Sequence, residues 1–212
     1  MTTTPNAKLE LKLDYNEGKI RAELSSLASI PGAERKAIAR AVNRALLGTR
    51  TDITADLRQR TVLKAAIIRK GIAVNKAWWG ASSVSGSVHV GSGHLDLTEY
   101  KVLPLRITAQ KGRLPAKYKP LSYRLTRGGK RFDNTAQDPN GSKLFTIQLK
   151  SGHLGVYYRL GAGRLPIHAE TGPSLQFFLS RGGDQARIMA GAESRFRKEL
   201  SHQVAHLGGG GR

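Results

Sequence analysis

Between Leu154 and Leu175 the chain reads LGVYYRLGAGRLPIHAETGPSL, a run that must finish a strand pair, turn sharply and open a helix within a few residues. Leu154, Val156, Tyr158 and Leu160 alternate with Gly155, Tyr157 and Arg159, the period-two pattern of a strand with one buried face. Upstream, Phe145, Ile147 and Leu149 alternate with Thr146 and Gln148, and Ser151-Gly152 supplies residues that tolerate the backbone angles of a tight hairpin. After this hairpin the chain is expected to leave the sheet. Gly161 and Gly163 permit an irregular exit, Pro166 removes a ladder donor, and Gly172-Pro173 places a proline of fixed φ where a helix can begin.

The same periodicities organise the rest of the chain. Leu9, Leu11 and Leu13 alternate with charge and predict an edge strand over 8–13, and Ile20, Leu24 and Leu27 predict a short helix ended by Pro31-Gly32. Ile38, Val42, Leu46, Ile53 and Leu57 form one stripe of a long helix from Ala33 to about Arg60. Its outer face is positive, because Arg35, Lys36, Arg40, Arg44, Arg50, Arg58 and Arg60 outnumber Glu34, Asp52 and Asp56. Thr61 is placed to cap a second, shorter helix that Gly71 would close. Residues 72–90 have the character of β structure. Alternation through Trp78-Trp79 would send one indole to the core and the other to an interface, unless a loop folds over the second. At the far end, Met189, Ala192, Phe196, Leu200, Val204 and Leu207 form one face of a helix from Asp184 to Leu207, with Arg195, Arg197, Lys198, Glu193 and Glu199 outside. Such a stripe is first a core signal, and second a contact between subunits. A flexible GGGGR tail over 208–212 is expected to follow.

With 212 residues, 39% of them hydrophobic, the chain can bury a sizeable core, and the element order predicts one α+β domain over 1–212: a long basic N-terminal helix, an antiparallel β-sheet and a C-terminal amphipathic helix. Within it the segments are 1–32, strand and short helix; 33–70, helical; 72–165, mainly β; and 173–207, helical. The chain has no cysteine, which removes disulfides and thiolate metal sites. MTTTPNAK lacks the apolar stretch of a signal peptide, no apolar run approaches bilayer thickness, and no membrane partner is expected.

A formal net charge of +20 directs attention to polyanions and acidic surfaces. Half of it lies in residues 101–132, which hold ten basic and no acidic residues: Lys101, Arg106, Lys111, Arg113, Lys117, Lys119, Arg124, Arg127, Lys130 and Arg131. Pro104, Pro115 and Pro120 with Gly112, Gly128 and Gly129 argue for an extended arm or open hairpin. Tyr118, Tyr123 and Phe132 are interleaved, so the run can neutralise phosphates and stack bases, or dock on an acidic protein neighbour. These ten cations are the candidate contact for nucleic acid or an acidic partner.

The hairpin, the GRLPI segment and the GPS turn resemble the minor tail protein Z family of lambda-like phages and prophages. The basic helix with Ala41-Val42-Asn43-Arg44-Ala45 at its centre and the following Thr61-Val62-Leu63-Lys64 resemble the same family, in matching order over roughly residues 33–207. The resemblance implies a non-enzymatic virion component, a tail completion protein at the head-proximal end of the tail that supports head-tail joining and DNA passage. It further implies assembly in the host cytoplasm, tail and neck proteins as partners, a cyclic homo-oligomer with a hexamer favoured, and nonspecific contact with phage DNA. The basic run 101–132 matches no motif of that family; it is expected to order on assembly. The rival from composition alone is a stand-alone, sequence-nonspecific nucleic-acid-binding protein.

Catalytic and cofactor patterns do not emerge. His202 and His206 have the spacing of two ligands on one helix face, but Gln203 stands where a zinc protease needs its glutamate. His89, His94 and Asp96 lie in a Gly/Ser-rich stretch with no fixed geometry. Asp133 and Asp138, near the basic run, could bind a divalent ion as in a nuclease, yet they flank an Asn/Gly/Pro turn that needs no such role. No serine sits in a nucleophile elbow, and no glycine loop has phosphate-binding spacing. The expectation is no enzyme, no metal and no cofactor.

Overall fold

The computed structural model describes residues 9–12, 20, 24–79, 84–103, 121–129, 132–133, 143–149, 151–161, 163, 165–181 and 184–209. In chain order the elements are β1 (Leu9–Lys12), a 3-10 turn (Ser25–Leu27), α1 (Ala33–Arg60), α2 (Ala65–Lys70), β2 (Ile72–Asn75) and β3 (Ser87–Val90). Then come β4 (Leu95–Asp96), a second 3-10 turn (Leu97–Glu99), β5 (Lys101–Leu103), β6 (Ser122–Arg124), β7 (Phe132–Asp133), β8 (Phe145–Gln148) and β9 (Leu154–Arg159). The chain closes with β10 (Ile167–Ala169), β11 (Thr171–Gly172), α3 (Leu175–Ser180) and α4 (Asp184–Gly208). This is the expected α+β composition, with a long basic helix, small antiparallel sheets and a C-terminal amphipathic helix. By internal contacts the chain divides into two compact units. The first holds Met1–Ala55, Arg69–Ser92 and Leu175–Arg212, and the second Asp56–Ile68 and Gly93–Ser174.

In the first unit, α1 forms where the sequence predicts it. Gly32, at φ +73°, turns the chain into the helix, and its carbonyl accepts from Lys36 N–H. Ile38, Val42, Leu46 and Ile53 are all buried, each worth about 1.5–3 kcal/mol relative to exposure. The gap in this stripe between Leu46 and Ile53 is filled by buried Thr49, whose hydroxyl donates to Ala45 O at 2.9 Å and so enters the core without an unpaired polar group. β1, β3 and β2 form an antiparallel sheet in that order, with Leu11 opposite Val88 and Val88 opposite Val74. Ile72, Val88 and Val90 are buried. On α4 the buried residues are Ile188, Ala192, Phe196 and Leu200, and Met189 is only half-buried. α4 packs against α3 and the first 3-10 turn. Ile20 and Leu24 are helical where the sequence predicts a short helix, the 3-10 turn Ser25–Leu27 follows, and Ile20, Leu24 and Leu27 are buried as the spacing requires.

The second unit contains the β8–β9 hairpin, with Gly152 at φ +83° in the turn. Two expectations are corrected here. Tyr157, not Tyr158, is the buried tyrosine; it lies opposite Phe145 and the two form a core cluster with Ile147 and Ile167. On the other face Thr146 lies opposite Val156, both buried, so both sides of the hairpin are covered and alternation alone cannot select one. Nor does the chain leave the sheet after β9: it turns through a cis Leu165–Pro166 bond and returns as β10, with His168 opposite Tyr158. Leu160 is left exposed beyond the strand end.

Thr61 does not cap α2. Its hydroxyl donates back to Leu57 O at 2.7 Å, and its backbone bridges Thr126. Val62 N–H donates to Leu125 O and Arg127 N–H to Arg60 O, tying the end of α1 to the loop after β6. Tyr100 is buried, and its hydroxyl donates to Pro173 O at 2.5 Å. Its ring occupies the space beside Gly172, where an added Cβ would come within 2.3 Å of it, so Gly172 is required for a close approach rather than for a turn.

Candidate anion-binding groove

The five residues Ala41 to Ala45 divide their work by helical angle. Ala41, Val42 and Ala45 are wholly buried, and the alanines keep that face of α1 narrow. Asn43, half-buried beside them, reaches across to the strand-end segment 76–79: its Nδ2 donates to Ala77 O at 3.0 Å and its Oδ1 accepts from Ala77 N–H at 2.7 Å. This two-point grip satisfies both backbone groups of Ala77 and fixes the chain just beyond β2. The segment therefore does not continue as strand, and Trp78 and Trp79 do not alternate between a core and an interface. Both are exposed, 63% and 47%, with ring centroids 5.4 Å apart.

Beside this grip lies a groove of about 470 Å³ between α1 and α4. α1 contributes Arg40 and Arg44, one turn apart, with Asn43 and Leu47. Lys76 enters from the segment that Asn43 holds, and α4 supplies His202, Gln203 and His206. Among the described residues no carboxylate lines it. Among the described residues no ion pair joins Arg40, Arg44 or Lys76 to an acidic group. Three permanent cations, two imidazoles and two amides facing one space make a site for an anion with several acceptor oxygens. They make a poor site for a metal cation, and among the described residues no three His, Cys, Asp or Glu side chains are grouped to hold one. The spacing of four between His202 and His206 thus serves the groove wall.

Of the ten cations singled out in the sequence, the three described, Lys101, Arg124 and Arg127, do not line this groove. Lys101 on β5 is exposed and lies opposite Arg124 of β6. Arg124 donates to Arg127 O at 3.5 Å, and Arg127 donates through Nε to Thr61 O at 3.2 Å, so these two side chains tie the loop together. Arg106, Lys111, Arg113, Lys117, Lys119, Lys130 and Arg131 lie outside the described residues, as do Asp138 and the end of the glycine tail. Asp133 ends β7, opposite Ser122. His89 is buried against Asn75 and Ser87, His94 faces Gly172 O, and Asp96 lies 3.7 Å from His153.

Two members of the presumed solvated faces also prove to have specific duties. Arg50 donates to Arg69 O, the carbonyl near the end of α2, at 2.9 Å. Arg195 turns inward to Asp52. Sequence reasoning missed the groove because it placed Arg40 and Arg44 on a uniformly wet face and weighed the two histidines only as metal ligands. The available signal was a basic pair and an imidazole pair, each spaced by four, on two helices otherwise patterned to pack. No known family, curated protein or solved structure matches the chain at a significant level.

Proposed function

We propose that this chain is a non-enzymatic structural component of a phage virion, a minor tail or tail completion protein at the head-proximal end of the tail, where it supports head-tail joining and DNA passage. The observation that carries this reading is the use made of the Ala41–Ala45 motif, a central point of resemblance to the minor tail protein Z family. Its alanines seat a helix, and its asparagine holds the segment of two exposed indoles beside cations that have no acidic partner among the described residues. Exposed aromatic surface beside uncompensated charge suits docking, and the motif spends no residue on a nucleophile or base. The partners in this reading are tail and neck proteins, further copies of the chain in a closed ring, and phage DNA met without sequence preference. Among the described residues no helix is long and apolar enough to cross a membrane.

Quantitative mass spectrometry of purified particles tests this, with the tail-tube and capsid proteins as internal standards. A low, fixed copy number of about six, as cyclic tail symmetry suggests, is the expected result. Absence from the particle overturns it and leaves the second reading, a stand-alone sequence-nonspecific nucleic-acid-binding protein, which draws on the same basic surface.

A further inference from the structure

We infer that the groove between α1 and α4 binds the phosphodiester backbone of a nucleic-acid strand, and that Trp78 and Trp79 supply the stacking surface for its bases. The inference rests on the virion reading only for where the strand comes from; the chemistry is that of this chain alone. Arg40, Arg44 and Lys76 present positive charge to one open space that, among the described residues, no carboxylate lines. The imidazoles of His202 and His206 and the amide of Gln203 add hydrogen-bond donors from the opposite helix. Phosphate oxygens accept such bonds from several directions at once, as arginine forks favour.

What selects a nucleic acid over an acidic peptide is the pair of indoles. Trp78 follows Lys76 by two residues, which places its Cα within about 8 Å of that of the groove lysine. Both rings are exposed on a segment whose backbone is pinned by Asn43, so they are held rather than trailing. A basic groove that tracks the backbone, with adjacent aromatic faces for the bases, is the arrangement by which single strands are bound without sequence preference. A peptide of aspartates and glutamates would satisfy the cations but would have nothing to place on the indoles.

Trp78 and Trp79 are the only two tryptophans, so the protein's intrinsic tryptophan emission reports on this site and no other. The experiment titrates the full chain with a fluorescein-labelled mixed-sequence DNA strand of about 16 nucleotides, the upper range for one binding module, and separately with polyglutamate of matched charge. Anisotropy and tryptophan emission are followed at several salt concentrations. The DNA is expected to quench the tryptophans at saturation, and polyglutamate to leave them unquenched and bind more weakly. Arg40→Ala/Arg44→Ala should weaken DNA binding at least tenfold and reduce the slope of log affinity against log salt by about 1.4, two single-strand phosphate contacts. A charge-matched control in the basic run, Lys117→Ala/Lys119→Ala, should weaken it less and leave the quenching intact. Lys76→Ala, on a surface segment, repeats the test should the double variant not fold, and Trp78→Ala should cost about tenfold at unchanged salt slope. Equal losses in groove and control variants, unquenched tryptophans at saturation, or polyglutamate binding as tightly as DNA would each overturn the assignment. None of these outcomes depends on whether the chain is found in particles.

Discussion

Arg195 of α4 grips Asp52 of α1 with both ends of its guanidinium, Nη1 to Oδ2 at 2.5 Å and Nη2 to Oδ1 at 2.8 Å. The side chain reaches its partner by crossing Gly48, where an added Cβ would lie 2.7 Å from Arg195 Cδ. The hydrogen bond to the carboxylate outweighs the opposing effect of burial and pushes the arginine pKa above its ordinary value. This fork sets α1 against α4, the two helices that carry most of the groove lining.

A double-mutant cycle measures what Gly48 is for. In wild type, Gly48→Ala gains about 1 kcal/mol of helix propensity and loses a similar amount by displacing Arg195, so it should be nearly neutral. With Arg195→Ala already in place the displacement has no cost, and Gly48→Ala should stabilise by about 1 kcal/mol. Urea unfolding of the four proteins gives the coupling. Because both side chains of the pair are about a third exposed or more, Arg195→Ala alone should cost no more than about 1 kcal/mol.

Asn43→Ala should cost about 1–3 kcal/mol, since it strips partners from both backbone groups of Ala77. The more specific consequence is local. Trp78 and Trp79 lose the anchor of their segment, and time-resolved tryptophan anisotropy should show faster motion. Asn43→Asp keeps the acceptor for Ala77 N–H but has no donor for Ala77 O, and should recover only part of the loss.

Gly172→Ala should destabilise by about 1–3 kcal/mol through the clash with the Tyr100 ring, measured by the urea midpoint. Tyr100→Phe tests the other side of the contact and removes the bond to Pro173 O, a loss of about 1 kcal/mol.

Burial pushes the Tyr100 phenol well above its ordinary range. A phenol that ionises later in the fold than in the unfolded chain stabilises fully below about pH 10, and that contribution falls as pH rises beyond it. Stability should therefore drop on the alkaline side, and the drop should be shallower in Tyr100→Phe. It should not vanish, because burial also raises Tyr123, with a smaller effect from Glu170, and Tyr157, with a smaller effect from Asp96.

Elements whose stabilising partners are local were legible in the sequence. α1 and the β8–β9 hairpin fall where periodicity and turn residues put them, and α4 runs one residue beyond its expected end. The missing stripe position at residue 49 was filled by a threonine that bonds within its own helix. What escaped depends on partners far along the chain. β2 ends at Asn75 instead of running on through the tryptophans because Asn43, 34 residues from Ala77, takes the hydrogen bonds a ladder would need. Within the local hairpin, the choice of Tyr157 over Tyr158 escaped for another reason: both faces are covered, so alternation alone does not say which tyrosine joins Phe145. The groove joins residues of α1, of the segment after β2 and of α4, and no window on the sequence contains them together.

The most direct test of the proposed virion role places Arg40→Ala/Arg44→Ala in the genome that encodes this chain, recovers the particles it yields, and counts joined particles by electron microscopy beside infectious titre. The same purified variant is first checked for wild-type urea unfolding. If the groove belongs to a tail completion protein, separate heads and tails or uninfectious particles should accumulate. A wild-type titre from particles that contain the folded variant would contradict the account.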